Sequence, residues 1–224
     1  MQKEIQHDLM KISQQPKIIG IFGTSANPPT GVGGHYSLVA WAAHNPCLYD
    51  QDQKLMSLDE IWVLPVYKHI NDKNSSLVSF THRFHMAKLN FSDLPDVQVK
   101  TIEKDICSLQ EGSKIGTIDT VQYLQEKYPC DRFVLLLGED TYRGLHAGKW
   151  KRSKELLSLV DVVGIKRKPF EGDEGKDLFE VKETKNVSST FVREDKHKEK
   201  ENTKQFLRKE VHDYIKSHNL YQEK

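Results

Sequence analysis

The sequence predicts an α/β protein built on a doubly wound parallel sheet, and three observations favour this class. Short apolar runs such as Ile18–Phe22 and Arg132–Leu137 have the length and composition of strands that are covered on both faces. Segments with helical spacing alternate with these runs along the chain. Polar and glycine-rich stretches follow the ends of the strands, which is where ligands bind in sheets of this kind.

Composition limits the class of protein further. The chain has 224 residues and a hydrophobic share of 37%, so we expect residues 1–16 to form an N-terminal extension and residues 17–224 to form one domain. A net charge of +1 argues against broad affinity for nucleic acid or an anionic membrane. No stretch has the pattern of a signal peptide or a membrane span. Three widely spaced cysteines predict a reducing, cytoplasmic compartment and no zinc site.

The elements are predicted in order along the chain. A helix begins at His35, where apolar residues start to recur at helical spacing, and residues 45–57 are predicted to be a polar surface connection. The other predicted strands are Glu60–Pro65, Val97–Ile102, Arg132–Leu137 and Val160–Lys166, and the other predicted helices lie at Thr81–Met86, Thr117–Tyr128, Trp150–Leu159, Val187–Arg193 and Val211–Tyr221. Residues 170–186 are predicted to be a charged connector, and residues 194–205 a solvated helix face.

The turn after the first strand is the strongest candidate for a ligand site. Gly23, Thr24 and Ser25 offer small side chains and backbone amides, and more glycines follow before His35. His35 falls in the first turn of a helix, where N–H groups and the helix dipole favour an anion. The Walker pattern and the Gly-x-Gly-x-x-Gly pattern are both absent. The turn therefore predicts a phosphate site of a third kind.

This turn resembles the signature of a nucleotidyltransferase superfamily. Gly-Thr-Ser-Ala-Asn-Pro-Pro-Thr, ending in Gly-His, is similar to Gly-Gly-Thr-Phe-Asp-Pro-x-His-x-Gly-His. Thr30 takes the place of the first His of that signature, and His35 takes the place of the second. Ala26 and Asn27 replace an aromatic residue and an Asp, and two extra residues separate Thr30 from His35.

A second element makes the resemblance more specific. Ser188-Ser-Thr-x-x-Arg193 resembles an element of the nicotinamide and nicotinate mononucleotide adenylyltransferases, a branch of the same superfamily. Further motifs of that family follow the same order here: Thr117-Ile-Asp-Thr120, Gly138-x-Asp140, Trp150 and Arg167-Lys-Pro169. The similarity extends over about residues 17–221. It implies a Rossmann-like nucleotidyltransferase fold, ATP and a pyridine mononucleotide as substrates, and Mg²⁺ bound together with ATP.

The resemblance also implies a role for each candidate residue. His35, Lys73 and Arg193 are expected to stabilise charge in catalysis, with Lys68 as a competitor for the role of Lys73. The residues expected to bind ATP are Gly23, Thr24, Ser25, Thr30, His35, Gly138, Asp140, Ser188, Ser189, Thr190 and Arg193. The residues expected to bind the mononucleotide are Thr117, Trp150 and Arg167.

The reaction implied is adenylyl transfer from ATP to nicotinate or nicotinamide mononucleotide, with release of pyrophosphate, in NAD biosynthesis. Because the attacking phosphate is already ionised, the site requires cationic donors and amides rather than a general base. Two alternatives stay open. One is an adenylyltransferase or cytidylyltransferase for another phosphate monoester, such as phosphopantetheine, and the other is a non-catalytic nucleotide-binding regulatory protein. The sequence leaves open the choice between nicotinate and nicotinamide and the presence of a homo-oligomer.

Overall fold

The computed structural model describes residues 15–68, 77–110, 115–166, 178–180, 189–194 and 205–222. Its centre is a six-stranded sheet in which every neighbouring pair is parallel. The strands in chain order are β1 (Ile18–Thr24), β2 (Leu48–Tyr49), β3 (Leu55–Met56), β4 (Glu60–Pro65), β5 (Val97–Val99), β6 (Arg132–Gly138), β7 (Asp161–Lys166) and β8 (Leu178–Glu180). Strands β2 and β3 pair with each other in a separate antiparallel ribbon. The predicted doubly wound parallel sheet is confirmed.

Helices cover both faces of the sheet. They are α1 (His35–His44), α2 (Phe80–Asn90), α3 (Ile102–Leu109), α4 (Thr117–Lys127), α5 (Glu139–His146), α6 (Ser153–Leu159), α7 (Ser189–Glu194) and α8 (Lys209–Ser217). Successive residues of β4 belong to different apolar clusters, Ile61 and Val63 to one and Trp62 and Leu64 to the other. The cluster with Ile61 includes residues of α1, and the cluster with Trp62 includes residues of α3 and α4. Alternation along the strand thus gives the sheet two buried faces.

The order of the strands determines where a ligand can bind. It is β5-β4-β1-β6-β7-β8, so the chain moves outward from β1 through β4 to β5 and then returns to the other side of β1. This reversal separates the connections that follow β1 and β6 and leaves a crevice at the carboxyl ends of the strands. Within the described residues, no helix is both long and apolar enough to cross a bilayer.

The segment after β5 differs from the sequence-based expectation. The predicted strand Val97–Ile102 ends at Val99, and Ile102 begins helix α3 instead. Ile102 and Ile106, four residues apart, are both buried in the same core cluster. The apolar spacing at the end of the predicted strand therefore belongs to a helix.

Four other segments also differ. The predicted polar connection at residues 45–57 contains the β2–β3 ribbon, and the predicted connector at residues 170–186 contains β8, which adds a sixth strand to the five expected. The helix predicted from Trp150 begins at Ser153, and α5 was not predicted. The expected solvated helix face lies, from residue 195 to 204, outside the described residues.

Candidate active site

The turn that follows β1 is a packed structure. Thr24 Oγ1 accepts a hydrogen bond from the backbone N–H of Ala26 at 3.1 Å, and Ala26 is fully buried with φ of 49°. Asn27 is also fully buried, and its Oδ1 accepts hydrogen bonds from the N–H of Val78 and the hydroxyl of Tyr221. Ala26, which replaces an aromatic residue of the signature, therefore lies where a small side chain fits. Asn27, which replaces an Asp, lies where its amide oxygen has two hydrogen-bond donors.

The imidazole of His35 is oriented by Thr30. The backbone N–H of Thr30 donates to Nδ1 at 3.0 Å, and Thr30 Oγ1 accepts the backbone N–H of His35 at 2.9 Å. Because Nδ1 accepts a hydrogen bond, the network assigns the proton of the neutral imidazole to Nε2. Nε2 lies 3.5 Å from Thr24 Oγ1 on the turn. His35 thus presents an N–H donor where the turn meets helix α1.

The C-terminal part of the chain holds this same turn. Ser189 Oγ donates to the carbonyl of Pro28 at 2.7 Å, and Arg193 Nη1 donates to the carbonyl of Asn27. The second terminal nitrogen of the guanidinium donates to Thr190 Oγ1 at 3.2 Å. Helix α7 and His35 therefore meet at one turn, although they are far apart in the sequence.

A cavity of about 420 Å³ opens beside the turn at the carboxyl ends of β1, β4 and β6. Its volume lies within the range of sites for small molecules. The predicted site residues that line it are Gly23, Thr24, Ser25, His35, Thr117, Gly138 and Trp150. Lining residues that were not predicted include Glu103, Thr120 and Thr141.

Glu103 brings a largely buried carboxyl group into this cavity. Its Oε2 accepts the backbone N–H of Tyr67 at 2.9 Å. Burial raises the pKa of Glu103 to about 7, while the Tyr67 N–H and the charge of Arg83 oppose that rise. Among the lining residues that the structure describes, His35 and Glu103 are the two titratable side chains.

Arg83 joins the segments that surround the cavity. Its side chain is 1% exposed, and the guanidinium donates to the backbone carbonyls of Ser25, Val66, Tyr67 and Val78. These carbonyls belong to the turn after β1, the residues after β4 and the approach to α2. Burial lowers the pKa of Arg83, yet an arginine stays protonated far above neutral pH. One buried cation thus holds three parts of the rim together.

Trp150 is fixed at the start of α6 and beside α4. Its backbone N–H donates to Ser153 Oγ at 3.1 Å, and that hydroxyl donates back to the Trp150 carbonyl at 2.9 Å. The next residue, Lys151, forms an ion pair at 2.9 Å with Asp119 in the first turn of α4. A partly exposed ion pair contributes little stability. The pair joins the residue after Trp150 to the helix that Thr117 begins.

Comparison with known proteins agrees with this geometry. The sequence model of the cytidylyltransferase-like family matches residues 21–195. The nicotinate-nucleotide adenylyltransferase of Bacillus subtilis is 32% identical over 208 residues, which cover 92% of this chain and 99% of that protein. The chain belongs to the nicotinate-nucleotide adenylyltransferase family. The predicted family and the predicted enzyme class are confirmed.

Solved structures of this family share the fold. The nicotinic acid mononucleotide adenylyltransferase of Plasmodium falciparum complexed with NaAD has a TM-score of 0.69 at 23% identity, over 92% of this chain and 97% of that one. The same enzyme complexed with APC has a TM-score of 0.67 at 22% identity, with the same coverage of both chains. The similarity to these adenylyltransferases supports the Rossmann-like arrangement of strands and helices.

The predicted site residues of this adenylyltransferase family member fall into three groups. Seven of them line the cavity, as given above. Thr30, Ser189, Thr190 and Arg193 lie at or beside the turn but outside the cavity lining, and Asp140 is exposed in the first turn of α5. Lys73, Arg167 and Ser188 lie outside the described residues.

Sequence reasoning assigned no role to Glu103, Thr141 or Arg83. The sequence did contain a signal for the helix that carries Glu103. Two acidic residues follow Ile102, and acidic residues are typical of the first turn of a helix. Thr141 follows the Gly138-x-Asp140 motif by one residue, and its hydroxyl donates to the Gly138 carbonyl at 2.7 Å. Arg83 belongs to the segment His82-Arg-x-x-Met86, which resembles a motif of the family, but its contacts with carbonyls of distant segments follow no local pattern in the sequence.

Gly34→Ala is expected to disturb the contact between Thr30 and His35. A Cβ at Gly34 would lie 2.1 Å from Thr30 Oγ1 and 2.6 Å from Thr30 Cβ, so Thr30 would have to move. We expect the free energy of unfolding in urea to fall by about 1–3 kcal/mol. Gly23→Ala is the control, since nothing lies within 4 Å of a Cβ there. Equal stability of the two variants would contradict the close packing at Gly34.

Proposed function

We propose that this chain transfers the adenylyl group of ATP to nicotinate mononucleotide, forming the nicotinate adenine dinucleotide and pyrophosphate, a step of NAD biosynthesis. The observation that carries the proposal is the 32% identity to the Bacillus subtilis nicotinate-nucleotide adenylyltransferase along 92% of the chain. The oriented imidazole of His35 at the end of β1 supports it, because a donor at that point can bind a phosphate oxygen.

The reaction is a displacement at the α-phosphorus of ATP. An oxygen of the mononucleotide 5′-phosphate forms the new bond to that phosphorus while the bond to the bridging oxygen breaks, and pyrophosphate leaves with the electron pair. The attacking phosphate carries its negative charge at neutral pH, so no side chain has to remove a proton. The barrier comes mainly from bringing two anions together and from the charge that develops on the leaving group.

The chain meets this demand with donors around the turn. We assign His35 Nε2–H and the backbone amides of Gly23, Thr24 and Ser25 to the triphosphate. Arg193 donates to the Asn27 carbonyl of the same turn and adds a fixed positive charge. Lys73, Ser188, Ser189 and Thr190 are assigned to the same nucleotide on the basis of the motifs that contain them.

Mg²⁺ accompanies ATP and neutralises part of the triphosphate charge. In the residues that the structure describes, no group of three or more His, Cys, Asp or Glu side chains is suited to holding a metal ion. The turn offers hydroxyls and amides, which suit phosphate oxygens. We therefore propose that triphosphate oxygens and water are the main ligands of the ion, as is common for Mg²⁺ at nucleotide sites.

The mononucleotide is assigned to the part of the cavity that Thr117 and Trp150 line. The indole of Trp150 offers a flat apolar surface on which a pyridine ring can stack. Arg167 is assigned to the mononucleotide on the basis of its motif alone. Gly138 at the end of β6, and Asp140 two residues further on, are assigned to ATP, with room beside Gly138 for the ribose.

A product assay tests the proposal. The purified chain is incubated with ATP, Mg²⁺ and, separately, nicotinate mononucleotide, nicotinamide mononucleotide or phosphopantetheine. We expect pyrophosphate and a dinucleotide to form in equal amounts, fastest with nicotinate mononucleotide. Tight binding of ATP with no pyrophosphate from any acceptor would favour the non-catalytic regulatory protein instead. Turnover with phosphopantetheine alone would favour the other class of transferase.

A further inference from the structure

One carboxyl oxygen of Glu103 accepts a hydrogen bond from the protein, and the other does not. Oε2 accepts the Tyr67 N–H at 2.9 Å, and Oε1 has no hydrogen-bond partner among the residues that the structure describes. In those residues, the one fully buried side-chain nitrogen or oxygen without a partner is Asn90 Oδ1. Oε1 of Glu103 is therefore not fully buried without a partner, and Glu103 is one of the residues that line the cavity.

Glu103 and the turn between β1 and His35 belong to different parts of the fold. Glu103 lies on α3, which packs with α4 on one face of the sheet, and Thr117 begins α4. His35 begins α1, which packs on the opposite face. A mononucleotide whose phosphate lies at the His35 turn must extend its ring away from that turn. Glu103, the other titratable side chain among the described lining residues, lies on the same face of the sheet as Thr117.

We propose that Glu103 is a specificity-determining residue that contacts the substituent of the pyridine ring, an inference that rests on the proposed function. In its protonated form, Glu103 donates a hydrogen bond from Oε1 to the carboxylate of nicotinate. In its ionised form, it repels that carboxylate and accepts a hydrogen bond from the carboxamide of nicotinamide. The protonation state of one side chain would thus set the preference between two substrates that differ in a single group.

The surroundings of Glu103 make both forms accessible near neutral pH. Burial raises its pKa to about 7, opposed by the Tyr67 N–H and by Arg83 on α2. Cys107, one turn along α3, has its own pKa raised by burial and by the charge of Glu103, whereas Lys68 lowers it. The walls of the cavity are mainly apolar, so a hydrogen bond between a neutral acid and a carboxylate is strong there and two like charges are costly.

The test is the ratio of kcat/KM for nicotinate mononucleotide to kcat/KM for nicotinamide mononucleotide as a function of pH. Both substrates carry the same phosphate and meet the same residues of the turn, so effects that are common to both substrates cancel in the ratio. The protonated, nicotinate-accepting form of Glu103 is lost as the pH rises through about 7. We expect the ratio to fall by about tenfold or more between about pH 6 and about pH 8.5.

Glu103→Gln removes the titration and keeps a donor and an acceptor. Its ratio is expected to vary by less than about twofold over the same pH range. Glu126→Gln, an exposed position on α4, is the matched control and should keep the wild-type dependence. A constant ratio in the wild-type chain overturns the inference even if Glu103→Gln does not fold, as does an unchanged dependence in a folded Glu103→Gln. A wild-type chain that makes neither dinucleotide refutes the proposed function instead.

Discussion

Replacing His35 by alanine is expected to lower kcat/KM for dinucleotide formation by about 10²–10³-fold, which is about 3–4 kcal/mol of transition-state stabilisation. Thr30 holds Nδ1 as an acceptor and so directs the Nε2 proton outward. Such a donor needs no reorganisation when negative charge develops on the phosphates, and this is why losing it is costly. Pyrophosphate release under saturating and limiting mononucleotide measures the effect.

Two further variants test whether the N–H donor of His35 is responsible for the effect. His35→Gln keeps an N–H group at a similar distance along the side chain and should recover part of the lost rate. His44→Ala removes an exposed imidazole at the other end of the same helix, where Nδ1 contacts the Ala40 carbonyl. That control should leave kcat/KM within about twofold of the wild type, since surface changes away from special features have small effects. If His35→Ala did the same, the imidazole would have no part in the transition state.

Arg193→Ala is expected to raise the barrier to adenylyl transfer by about 2–4 kcal/mol, the size typical of one lost charge contact in a transition state. The guanidinium lies against the turn, where Nη1 donates to the Asn27 carbonyl. Its removal therefore takes away a positive charge and loosens the turn that carries the donors. We expect a loss of stability of about 2 kcal/mol, because the guanidinium donates two hydrogen bonds that usually contribute about 1 kcal/mol each. Parallel measurements of kcat and of urea unfolding give both quantities.

The matched control for this variant is Arg132→Ala. Arg132 forms a surface ion pair with Asp161 at 2.8 Å at the amino ends of β6 and β7, whereas the cavity lies at the carboxyl ends of the strands. A pair of this kind contributes about 1 kcal/mol or less to stability and should not affect turnover. Near-normal kcat in Arg193→Ala, or a loss no larger than that of Arg132→Ala, would show that Arg193 only supports the turn.

Local patterns were sufficient for the central strands and for the start of the first helix. The strand at Glu60–Pro65 was predicted with its observed bounds, and α1 begins at His35 as expected. These elements depend on neighbouring residues, because a short apolar run between turn signals favours a strand buried between helices, and the spacing of a helix's apolar residues is visible within two turns. The turn that joins β1 to α1 followed from the same short-range signals.

Elements that depend on distant partners were missed or wrongly bounded. The short strand Leu178–Glu180 exists because it pairs with β7, and nothing in its own sequence distinguishes it from a charged connector. The predicted strand at Val97 was extended too far, because the strand has only three residues and the helix that follows it also begins with an apolar residue. Both errors arise where tertiary contacts outweigh local preference.

The sequence by itself determined the fold class, the family and the turn that ends at His35, because each depends on motifs of residues that are close together in the chain. Only the tertiary structure decided that Arg83 joins three segments through their carbonyls, that Arg193 lies on the turn of His35, and that Glu103 opens into the same cavity. The reason is that hydrogen bonds to backbone carbonyls and the burial of a carboxyl group depend on which segments fold together, and these contacts leave no periodic pattern in the sequence.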